Sequence, residues 1–189
     1  MLLRVWRFLT LVCTALALTM TSAHVLELPQ KMLYDAELYS AVNTTLYRYF
    51  AIVGAVYTLG SITAAGILAF LVRRRRLAFG WTLAGAACLL MAFGSWLALV
   101  APANQQIAEA LRVSPDSVPD LWMQLRIRWE YGHAAGFVIQ LAGFCALVVS
   151  MLVETPGSSR AEPVKRAGRG SSGRQELEES EAAGVSVHG

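Results

Sequence analysis

Four side chains, arranged as two mirrored pairs, have the types and spacing to do chemistry. His24 and Glu27 stand at i, i+3, as do Glu130 and His133, so on helices each pair shares one face. Two imidazoles and two carboxylates at one depth suit a single borderline transition metal such as zinc, iron or copper. Magnesium and calcium, which favour oxygen shells, suit it less. The ExxH spacing also occurs in carboxylate-bridged di-metal bundles, but those need further carboxylates that this chain lacks at that depth. Proton transfer is the other chemistry on offer, because imidazole titrates near neutrality and Glu130 is spaced to orient the His133 ring. Arg126 and Asn104 complete the set as donors toward a developing oxyanion.

Each of these residues also has a purely structural reading. Arg126 lies one turn before Glu130 and Glu27 one turn before Lys31, so both carboxylates have a local i, i+4 cation. Asn104 follows Pro102-Ala103 and is placed to cap a short amphipathic stretch from Gln105 to Arg112.

Positioning these residues falls to helices in a membrane. The chain has 189 residues, of which 56% are apolar, which is too little polar surface for an ordinary soluble domain of this length. Apolar runs from about Val5 to Leu26, Tyr49 to Val72, Phe79 to Val100 and Ala134 to Val153 are long enough to cross about 30 Å of hydrocarbon, within helices expected at about 5–28, 46–72, 78–101 and 118–153. The fold class expected is therefore all-α, a four-helix transmembrane bundle of up-down-up-down order over residues 1–153. The third helix should stop before Pro102, and the fourth, about 50 Å long, should project beyond the bilayer with Trp122 and Trp129 near the headgroups. Two stripes at helical spacing stand out: Thr10, Thr14, Ala17, Thr21 and His24 on the first helix, and Arg126, Glu130, His133, Phe137 and Gln140 on the fourth. Polar stripes on membrane helices face protein rather than lipid, and in this topology the first and last helices are antiparallel neighbours.

Charge fixes the expected orientation. Arg4 and Arg7, the run Arg73 to Arg76, and the basic residues after the fourth span place both termini and the middle loop in the cytoplasm, with the protein integral to the cytoplasmic membrane. Anionic lipid accounts for the arginine run, so no nucleic-acid partner is expected. The three cysteines fall in different apolar runs and read as reduced thiols.

The first 23 residues also have the layout of a signal peptide, and cleavage after Ala23 would leave His24 as a copper-chelating N-terminus. The length of the run favours a retained helix. Gln30 to Arg48 reads as an external segment whose tyrosines are boundary anchors, Ser114-Pro115-Asp116 as a turn, and Ser117 with Asp120 as a capping box. Residues 154–189, rich in Gly, Ser, Arg and Glu, are expected to be a disordered cytoplasmic tail.

The pattern Trp122-x-x-Leu125-Arg126-x-Arg128-Trp129-Glu130-x-x-His133, with Pro102-Ala103-Asn104 before it and His24-x-x-Glu27-x-Pro29-x-Lys31 after the first span, resembles the anthrone-oxygenase-like family of small four-helix integral membrane proteins. The likeness covers roughly residues 1–153, and the most general part of the pattern maps onto Asn104, Trp122, Arg126 and His133. For some members it implies oxidation of an anthrone to an anthraquinone by O₂. Two functions follow as expectations. The first is an oxidoreductase acting on a lipophilic aromatic substrate at the outer membrane boundary, with the lipid bilayer as its other partner. The second is a non-catalytic membrane protein whose polar cluster fixes helix packing or binds a lipid or partner.

Overall fold

The computed structural model describes residues 1–113 and 118–154, and these are helical apart from short turns. Helix α1 (Leu2–Lys31) continues through Pro29, three residues beyond the expected end, and so adds Lys31 to the face that carries Glu27. The segment expected to be a plain external connection folds into α2 (Ala36–Thr45), started by the Asp35 carboxylate accepting from the Leu38 amide at 2.8 Å. Helix α3 (Tyr47–Val72) returns to the arginine turn, and α6 (Val118–Leu152) closes the bundle.

The third span departs most from expectation. It does not stop before Pro102 but runs from α4 (Arg76–Ser95) through a π-helical turn (Trp96–Val100) into α5 (Ala101–Val113). A proline inside a helix has no N–H to give and crowds the carbonyl four residues before it, here that of Ala98. The π turn relieves both problems. The Ala101 amide bonds back to Trp96, and the Ala98 carbonyl accepts instead from the Arg128 guanidinium at 2.9 Å.

The long helices form a ring. Helix α1 packs on α3 and α6, and α4 packs on the same two, so the first and last spans are neighbours as their stripes require. Thr10, Thr14, Ala17 and His24 are buried on α1, and Arg126, Glu130, His133 and Gln140 on α6. Outside, large apolar side chains such as Phe8, Ile52, Val56, Phe70, Leu90 and Val138 are exposed, as lipid contact demands. Among the described residues four helices are long and apolar enough to cross a membrane, and the protein is a multi-pass membrane protein.

At one end, hereafter the arginine end, Glu154 accepts hydrogen bonds from Arg7 and from Arg75, the latter at 2.8 Å, tying the start of α1, the α3–α4 turn and the end of α6. Glu154 therefore belongs to the bundle and not to the expected tail. The expectations for residues 155–189, and for the turn and capping box near residue 116, fall outside the described residues. In the same half, Gly85 and Gly143 bring α4 and α6 into backbone contact: a Cβ on Gly143 would stand 2.9 Å from Cys88 Cβ and 3.1 Å from the Gly85 carbonyl. Buried hydroxyls seal the rest, with Thr82 and Ser150 sharing a 2.7 Å hydrogen bond and Thr10 donating to Ala64 across the α1–α3 seam at 3.2 Å.

Candidate functional site

The opposite end of the bundle holds the two stripes' polar residues, and their faces meet. The His24 and His133 rings lie 4.3 Å apart between centroids, and both are buried, at 6% and 8% exposure. Tyr47, Trp129 and Phe50 surround His24, at 4.8, 4.9 and 5.7 Å between ring centroids. His133 Nδ1 lies 3.0 Å from the Trp129 carbonyl of the preceding turn. With the proton on Nδ1 it donates to that oxygen, and the lone pair is left on Nε2. His24 Nδ1 is buried without a hydrogen-bond partner among the described residues.

The carboxylates do not join the imidazoles. Glu130 pairs with Lys31 of α1 at 2.7 Å, and both are buried, at 0% and 2% exposure. The Lys31 ammonium also lies 4.1 Å from the Trp129 ring centroid, 4.5 Å from that of Tyr47 and 5.6 Å from that of Tyr39. Burying a charge is costly, and here one carboxylate and three aromatic rings surround the ammonium. Glu27 accepts a hydrogen bond from the Tyr47 hydroxyl. Both expected intrahelical pairs are thus replaced by contacts between helices. Burial, and then the neighbouring Glu130 carboxylate, push the Tyr39 hydroxyl well above the ordinary phenol value.

These partners change the metal expectation. Among the described residues no group of three or more His, Cys, Asp or Glu side chains is arranged to hold a metal ion, so His24, Glu27, Glu130 and His133 do not form one shell. The cation beside Glu130 is Lys31, and Glu27 is engaged by Tyr47. A four-ligand site does not fit these residues.

Arg126 and Asn104 also stand elsewhere than expected. The Arg126 guanidinium donates to the carbonyls of Lys31 (3.3 Å) and Tyr34 (2.9 Å), touches Met123 Sδ at 3.0 Å and lies 4.2 Å over the Trp122 ring. It thereby caps the C-terminal end of α1, where free carbonyls carry partial negative charge. Asn104 sits inside α5 and caps nothing: its Oδ1 accepts from the Trp129 indole at 2.9 Å, which leaves its NH₂ as the free donor.

A cavity of about 520 Å³ opens beside the histidine pair, with His24, His133, Tyr47, Asn104, Asn43 and Gln140 as its polar lining and otherwise mostly apolar walls. That size and mixture are those of a small-molecule site. On its α1–α6 side the Thr21 hydroxyl donates to Gln140 Oε1 at 2.7 Å. Sequence reasoning missed Trp129 and Tyr47, taken as a headgroup residue and an anchor but buried at 5% and 7%. Their helical phase was the available signal: Trp129 falls three residues after Arg126 and four before His133, beside the polar stripe. In comparisons with protein-family models, curated proteins and solved structures, nothing matches this chain.

Proposed function

We propose that the protein is an oxidoreductase of the cytoplasmic membrane that takes a lipophilic aromatic molecule into the cavity beside His24 and His133, as the anthrone-oxygenase-like resemblance implies. The observation that carries the reading is the cavity itself, largely apolar and supplied at one side with two buried imidazoles and the Asn104 amide. In this reading the substrate's carbonyl oxygen accepts from the Asn104 NH₂, and His133 Nε2 removes the proton from the carbon that this carbonyl acidifies. Trp129, through its carbonyl and its indole, fixes both groups. Arg126 and Glu130 act at one remove, by holding α1 against α6. The carbanion so formed is oxidised by O₂, and the overall change balances as anthrone plus O₂ giving anthraquinone plus water. The arginine end faces the cytoplasm with both termini, and the cavity lies toward the opposite boundary.

The test is O₂ uptake and anthraquinone formation by protein in lipid nanodiscs supplied with anthrone, above the uncatalysed rate. His133→Ala should lower turnover by about 10²-fold or more while anthrone still binds. Normal binding with no turnover by the unaltered protein would overturn the catalytic reading. It would favour a second one, in which the polar cluster fixes helix packing, and the buried Lys31–Glu130 pair joining α1 to α6 is the observation on its side. Accessibility of a tag at Gly189 from outside intact cells would overturn the orientation.

A further inference from the structure

Residues that line the cavity and are at the same time exposed on the outside of the bundle mark where it opens. Within the apolar spans these are Ala51 and Ala55 on α3 and Trp96, 37% exposed at the start of the π turn; Thr44 on α2 and Asn104 on α5 also line the cavity and are exposed, at its site end. The packing explains the gap. Helix α3 lies along α1 and α4, whereas the π turn and α5 pack on α6, so the third span leaves α3 where the π turn begins. The gap is closed at both ends. Toward the site end Tyr47 packs with Val100, Ala103 and Trp129, and toward the arginine end Ala65 packs with Leu89 and Leu147. Between these plugs, Ala51 and Ala55 lie about 6 and 12 Å along α3 from Tyr47, within the apolar span. Their outward neighbours Ile52, Val56 and Leu59, and Leu97 on the far side, are all exposed and apolar.

The two walls of this slot differ. The α3 wall is built of small residues, Ala51, Gly54, Ala55 and Thr58. The other wall is aromatic: the Phe93 and Trp96 rings are 6.3 Å apart between centroids and within 4° of parallel. An aromatic wall opposite one of small side chains accepts a flat, uncharged guest and resists a bulky or charged one. We infer that the slot between Ala51/Ala55 and Phe93/Trp96, and not the exposed edge at Thr44 and Asn104, is the doorway for the ligand, that it opens to the lipid, and that it admits planar uncharged aromatic molecules dissolved in the bilayer. The inference rests on the cavity being the ligand site.

Stopped-flow fluorescence with 1-aminoanthracene, a planar neutral probe, tests it in lipid nanodiscs of the full chain. Ala55→Trp fills the slot from a lipid-exposed position, while Thr44→Trp bulks the cavity edge formed by α2, nearest water. Ala55→Trp should slow both association and dissociation about tenfold or more, with the equilibrium constant nearly unchanged, and Thr44→Trp should leave both rates alone. Slowing by Thr44→Trp, or none by Ala55→Trp, overturns the doorway and leaves the cavity reading intact. Wild-type protein that binds no probe, or binds it as well after Phe50→Ala as before, overturns the cavity reading and the doorway with it. Should Ala55→Trp fail to fold, Ala55→Cys serves. Its labelling by membrane-dissolved pyrenyl maleimide should be suppressed by saturating probe, and labelling that the probe does not affect overturns the inference.

Discussion

The two halves of this bundle are held together by opposite means. In the arginine half, α4 and α6 touch backbone to backbone at Gly85 and Gly143, hydroxyls fill the remaining gaps, and the ion pairs of Arg7 and Arg75 with Glu154 sit at the rim. In the other half a cavity opens between the helices; Gly132 lets α6 meet the π turn, but α1 is joined to α6 there by aromatic rings and a buried ion pair. The contrast shows where function can be housed in a small membrane bundle. Close packing in one half supplies stability that the hollow half does not have to supply, and the hollow half spends its contacts on holding polar groups away from lipid.

The largest test of that contrast is to remove one charge from the hollow half. Lys31→Met leaves the Glu130 carboxylate buried and unpaired, and should cost about 3–5 kcal/mol in detergent unfolding, as should Glu130→Leu. The double variant Lys31→Met/Glu130→Leu should regain most of the loss, since neither charge then remains to be desolvated. Two single variants that melt like wild type would break the contrast.

The same substitution should have opposite signs in the two halves. Gly143→Ala places a methyl against Cys88 Cβ and the Gly85 carbonyl, neither able to retreat, and should cost about 1–3 kcal/mol. Gly136→Ala, beside the cavity, meets only Ser95 Oγ at an ordinary 3.7 Å and should gain roughly 0.5–1 kcal/mol from helix propensity. Thermal melting of the pair compares them directly, and equal shifts would show that the halves are not packed differently.

The smallest effect belongs to the rim. Glu154→Gln should cost about 0–1 kcal/mol and less at high salt. Burial alone would raise the Glu154 pKa, but the hydrogen bonds from Arg7 and Arg75 outweigh it and hold the carboxyl below its ordinary value. A lowered folded value means the contribution is complete above the unfolded value of about 4.3 and is lost as pH falls through the folded one. Melting curves of wild type and Glu154→Gln should therefore differ at neutral pH and converge in acid. A gap that widens in acid would contradict the clamp.

The spans and both buried stripes were legible in the sequence because burial on a membrane helix is a matter of phase, and phase is written in residue spacing. The Thr10-to-His24 and Arg126-to-Gln140 stripes turn inward on that account. Pairing was not legible. Glu27, Lys31, Arg126 and Glu130 offer two carboxylates and two cations, and local spacing favours partners on the same helix. Once α1 and α6 are adjacent, a partner across the seam satisfies both helices at once, and the intrahelical choice loses. Pro102 misled for a related reason. Its cost to a regular helix is real, but the π turn and the distant Arg128 guanidinium remove it, and neither is visible from the residues around residue 102.

The Lys31–Glu130 pair also dates the assembly of the molecule. A ribosome delivers Lys31 at the end of the first span and Glu130 only with the last, so for most of translation the nearest carboxylate to the lysine is Glu27 of its own helix. During that interval the side chain can reach its ammonium to the headgroups, from a position one turn beyond the first apolar stretch. It can be drawn inward under Trp129 only when α6 arrives with both Trp129 and Glu130. The ring of helices therefore closes on a late event, and a chain interrupted before its last span would hold Lys31 at the membrane boundary without the partners that bury it.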